Sequence, residues 1–66
     1  MKSRVYRPVE RPDVLVTIDG VVYPGELRMW HQREDGSWWA NVSWSRGGQR
    51  YVDTLPAVDV RPDERD

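Results

Sequence analysis

Three dipeptides, Asp19-Gly20, Asp35-Gly36 and Gly47-Gly48, divide the middle of this chain into short segments. Each tolerates the positive φ angles that a two-residue hairpin turn demands. The segments between them are rich in valine and aromatic residues, which suit a pleated surface. No stretch of ten or more residues keeps helical periodicity free of glycine and proline. The pattern predicts an all-β domain. Its strands fall near 13–18, 21–33 with a bend at Pro24-Gly25, 37–46, 49–54 and 58–61, and Leu55-Pro56-Ala57-Val58 forms a single 3₁₀ turn before the last strand.

With 66 residues and no cysteine, the chain holds one small core, formed by packing alone. A single histidine leaves too few ligands for a structural zinc site. No apolar run reaches the ~20 residues of a membrane span, and no signal peptide is read at the start. The expectation is a soluble, cytoplasmic domain rather than a multidomain enzyme, a membrane protein or a disulfide mini-protein. Residues 1–12 read as an N-terminal arm, since Pro8 and Pro12 block regular helix and central strand. Residues 13–62 form the folded region, and 63–66 are a charged tail expected to fray. The net charge of −1 argues against a dedicated sequence-nonspecific DNA binder, which needs clustered cations.

The hairpin at Asp35-Gly36 carries the main geometric expectation. A two-residue turn pairs Glu34 with Ser37, Arg33 with Trp38, His31 with Ala40, Met29 with Val42 and Leu27 with Trp44. Leu27, Met29, Trp38, Ala40, Val42 and Trp44 then share one apolar face. Trp30 and Trp39 fall on the opposite face with Arg28 and Gln32, as diagonal neighbours. Two readings stand for that outer pair: a minor packing cluster beneath Val5 and Tyr6, or a recognition platform.

These residues resemble the SH3-like small barrels, in particular the Tudor and Agenet branch. Asp19-Gly20-Val21-Val22-Tyr23-Pro24-Gly25-Glu26-Leu27 is similar to the Tudor pattern of Asp-Gly, two residues, Tyr-Pro-small, one residue, aliphatic. Asp35-Gly36-Ser37-Trp38-Trp39 resembles the tandem tryptophans of SH3 domains, and Leu55 to Pro62 resembles their 3₁₀ turn and last strand. The resemblance implies a five-stranded, strongly bent antiparallel barrel. It also implies a methyl-ligand cage with Tyr23 and Trp44 at two positions, while Val16 and Arg46-Gly47 leave two others without an aromatic ring. Trp38 and Pro56 match two residues of the SH3 proline groove, but Asp59 stands where its tyrosine would be.

No catalytic constellation is read. His31 has no carboxylate or nucleophile at short-range spacing, and Asp19 and Asp35 are explained by turn geometry. No metal or cofactor is expected. The leading expectation is a non-enzymatic module that binds a protein or peptide through Trp30, Trp39, Tyr23, Arg28 and Trp44. The alternatives are a nucleic-acid surface built from Arg28, Arg46 and Arg50 with nearby aromatics, and self-association through the tryptophan face.

Overall fold

The structure is a computed structural model that describes residues 3–63. The expected tail at 63–66 therefore lies, apart from Asp63, outside the described residues. The described chain runs β1 (Ser3–Val5), a 3₁₀ turn (Pro8–Glu10), β2 (Asp13–Ile18), β3 (Val21–Gln32), β4 (Trp38–Arg46), β5 (Gln49–Pro56), a second 3₁₀ turn (Ala57–Asp59) and β6 (Val60–Pro62). All strand pairs are antiparallel. The sheet order is β5-β4-β3-β2-β6, and β1 joins β3 beside that path. The sheet is open: β5 and β6 end it and do not pair with each other. No helix among the described residues is long and apolar enough to cross a membrane.

Six strands stand where five are expected, because the N-terminal segment read as an arm contributes β1. The reason lies in the length of β3. Strand β2 covers its first half, ending at Asp13 opposite Glu26, and β1 covers the second half, from Val5 opposite Met29 to Ser3 opposite His31. At the junction the Leu27 N–H donates to the Pro12 carbonyl (3.0 Å) and the Tyr6 N–H to the Arg28 carbonyl (2.9 Å). Otherwise orphaned backbone groups of a central strand are thereby satisfied.

The turns at Asp19-Gly20 (φ 49° and 81°) and Gly47-Gly48 (φ 56° and 79°) have both central residues in the left-handed region. These are two-residue type I′ hairpins. The third hairpin is different. Asp35 keeps a negative φ and only Gly36 is left-handed, at 87°. Arg33 N–H donates to the Ser37 carbonyl and Gly36 N–H to the Arg33 carbonyl, both at 2.9 Å. That is a three-residue loop, Glu34-Asp35-Gly36, built as a type I turn with glycine at the bulge position. The Asp35 carboxylate ties it by accepting from the Ser37 N–H (2.9 Å) and hydroxyl (2.6 Å).

The extra loop residue slips the β3–β4 register by one. Gln32 faces Trp38, His31 faces Trp39, Trp30 faces Ala40 and Met29 faces Asn41. A β-bulge between Leu27 and Met29 then absorbs a further residue, and Leu27 faces Val42. Leu27 thus returns to the core while Met29 does not. The core is Val14, Val16, Leu27, Ala40, Val42, Trp44 and Val60, with Tyr6, Ile18, Tyr23, Trp30 and Leu55 packed against it. Strands β3 and β4 approach closely at Gly25, where an added Cβ would overlap the Ser43 carbonyl.

Candidate functional site: a tryptophan-lined cleft

The slip redistributes the tryptophans. Trp44 is buried as expected, at 6% exposure. Trp38, expected inside, is 39% exposed at the rim of the core face. Trp30, expected outside, stands opposite the fully buried Ala40 and packs against the core. Its ring meets Trp38 edge to face, with centroids 6.5 Å apart and planes at 86°. Trp30 and Trp39 therefore do not form a joint outer platform.

Beside the Trp30–Trp38 contact lies a shallow apolar cleft of about 420 Å³, lined also by Ala57 and Arg4. Each wall has a structural cause. Pairing of β1 sets Arg4 opposite Trp30. Pairing of β4 with β5 runs to Trp39 opposite Pro56, which delivers Ala57. The Arg4 guanidinium lies 4.9 Å from the centroid of the Tyr6 ring. It forms no ion pair among the described residues, where the pairs are Arg7–Glu10 and Arg50–Glu26. The Glu10 carboxyl titrates below its ordinary value, chiefly because the Arg7 side chain and then the Arg7 N–H donate to it; Arg4 adds a smaller through-space pull.

Trp39 remains on the outer face but is not bare. The Arg33 guanidinium sits 3.6 Å from its ring centroid, and its indole N–H donates to the Ser37 hydroxyl (3.0 Å). His31, expected opposite Ala40 on the apolar side, faces Trp39 and Ser3 on the outer side instead.

Tyr23 and Trp44 do meet, at 4.9 Å between centroids, and Tyr51 stacks on Trp44 from the other side at 4.7 Å. The Trp44 indole N–H donates to the Asp53 carboxylate (2.7 Å). Rings this close are in contact with one another, so no cation fits between them, and the implied half-cage is filled by its own aromatics. Sequence reasoning missed Tyr51, although counting out from Gly47-Gly48 places it opposite Trp44. It also missed Arg4, because three residues between a chain end and a proline carry no strand signal of their own.

The arginine trio is not assembled. Arg50 reaches across the outer face to the Ser43 hydroxyl (2.9 Å) and the Glu26 carboxylate (2.7 Å). Arg46 faces Gln49, one position from the Ser45–Arg50 pair, so it lies on the opposite face of the sheet. Arg28 occupies the bulge, several residues away along the ribbon. No group of three or more His, Asp or Glu side chains that could hold a metal occurs among the described residues.

No protein-family model matches the chain, and neither a curated protein nor a solved structure does.

Proposed function

We propose that this domain is a non-enzymatic peptide-binding module of the SH3-like type. An extended ligand lays one apolar side chain against the Trp30–Trp38 corner and sets a carboxylate against Arg4. The observation that carries this reading is the cleft itself, an apolar concavity walled by two indoles with a cation at its rim. Aromatic anchors with a nearby arginine are the composition of binding hot spots. The SH3-like reading draws support from the strand order β6-β2-β3-β4-β5 and from the 3₁₀ turn that precedes β6. Nucleic-acid binding draws none from Arg28, Arg46 and Arg50, which lie apart.

The test is tryptophan fluorescence titrated with extended peptides carrying a central Leu, Pro or Phe between glutamates, against the same peptides between lysines. Saturable binding of the glutamate series is expected, lost in Trp38→Ala with an unchanged circular dichroism spectrum and weakened in Arg4→Gln. Undiminished binding in Trp38→Ala, or preference for the lysine series, overturns the proposal. So does tight, strongly salt-dependent binding of a single-stranded oligonucleotide with no peptide binding.

A further inference from the structure

The outer edge of β5 is the longest unpaired strand edge among the described residues. Strand β5 runs from Gln49 to Pro56 at the end of the sheet, and among the described residues nothing pairs with its outer side. The turn chemistry fixes which of its backbone groups point outward. A type I′ turn at Gly47-Gly48 closes on Arg46 and Gln49 as a hydrogen-bonded pair, and such pairs recur every second residue. Gln49, Tyr51, Asp53 and Leu55 therefore bond to β4. Arg50, Val52 and Thr54 turn their N–H and C=O groups to the open side. Pro56, which has no N–H, falls in this same outward series.

Natural edges are guarded by charge, proline, bulges or shortness. The other end of the sheet has such guards, since β6 is only Val60–Pro62 and carries Arg61 and Pro62. On β5 the one proline, Pro56, stands at the far end, and the charges along the strand are diverted. Arg50 is drawn back over its own sheet to Ser43 and Glu26, and Asp53 accepts from the Trp44 indole. What remains at the middle of the edge is Val52, 53% exposed.

We propose that a second copy of this chain pairs with this edge, β5 against β5, antiparallel about a two-fold axis through Val52. In that register Val52 faces Val52 of the second copy, and Arg50 and Thr54 face each other twice. About six backbone hydrogen bonds form, since all three outward residues find partners. Centring on Tyr51 or Asp53 instead leaves only two outward residues matched on each strand, and centring on Asp53 opposes two carboxylates. Pairing β5 with the three-residue β6 of a second copy uses less of the edge. A net charge of −1 places little repulsion between copies.

Analytical ultracentrifugation across a roughly thousand-fold concentration range tests this. The expected mass rises from 7.8 kDa toward twice that value. Val52→Pro removes a donor that faces away from β4, so it keeps the fold and stays monomeric. Val52→Lys sets two ammonium groups face to face at the axis and raises the dimer Kd by at least about tenfold, and it decides the matter if the proline variant unfolds. Trp38→Ala leaves dimerisation unchanged, which separates this interface from the cleft. A wild type that is monomeric throughout, a folded Val52→Lys that dimerises as well as wild type, or loss of the dimer in Trp38→Ala overturns the proposal.

Discussion

Trp30 stands opposite Ala40, and the smallness of that partner lets the indole lean across β4 to meet Trp38 edge-on. The cleft exists because of this pairing. In a register shifted by one residue Trp30 would face Asn41 on the other side of the sheet, and Trp38 would lack its companion. The site thus depends on Arg33, rather than Glu34, standing opposite Ser37 where the loop closes.

Trp38 and Trp44 should separate binding from stability. Trp38→Ala removes a side chain from the rim, so denaturant unfolding should show a loss of no more than about 1–2 kcal/mol. Trp44→Ala empties a buried site and removes the hydrogen bond to Asp53, and should cost about 3–5 kcal/mol. For a domain of this size that is most of its stability, and Trp44→Ala should be largely unfolded at 25 °C.

Gly25→Ala should destabilise by about 1–3 kcal/mol although no positive φ is involved, because the added methyl meets the Ser43 carbonyl of β4. Thermal unfolding followed by circular dichroism reads this directly. Gly36→Ala meets open space instead, and its cost is the left-handed backbone alone.

Asp35 should respond to acid. Its carboxyl titrates below its ordinary value of 3.8, mainly through the Ser37 hydroxyl and next through the Ser37 N–H. A depressed folded-state pKa means that the ionised group favours the folded loop. The contribution is fully present above the ordinary value and disappears as pH falls through the lowered one. The Ser37 amide resonance should therefore move with a midpoint below 3.8, and Asp35→Ala should abolish that step.

Deleting Glu34 should be tolerated. The chain would then join Arg33 and Ser37 through Asp35-Gly36 alone, and a type I′ turn takes that dipeptide without moving the strands. Unfolding midpoints should shift by no more than about 1 kcal/mol equivalent, with the Trp30–Trp38 fluorescence environment retained. A deletion that exposes Trp30 would show instead that the loop and the register are inseparable.

Much of this architecture was legible before the structure. Asp19-Gly20 and Gly47-Gly48 are the turns that their dipeptides announce, and the strands between them follow from valine-rich alternation. Trp44 lies inside, where the alternation along β4 predicts it. The Asp35-Gly36 hairpin misled because the same dipeptide serves both a two-residue turn and the end of a three-residue loop. The choice lies with the Asp35–Ser37 hydrogen bonds, which no hydrophobic pattern records. The slip was also masked by its compensation. One extra residue in the loop and one at Arg28 leave Leu27 inside in either register, so the apolar pattern looked self-consistent. Only the residues between the two irregularities, Met29 to Gln32, changed sides, and they include the tryptophan that forms the cleft.

Strand β1 is three exposed residues long, yet it supplies Arg4 to the cleft and its neighbour Tyr6 seals the bulge. The cleft therefore borrows one wall from a three-residue strand with no buried side chain. Loosening of those few residues would widen the mouth and unhook the cation while the valine core stayed intact. The shape of the cleft is tied to how firmly β1 stays zipped to β3, so a change in residues 3–5 bears on the cleft before it bears on the core.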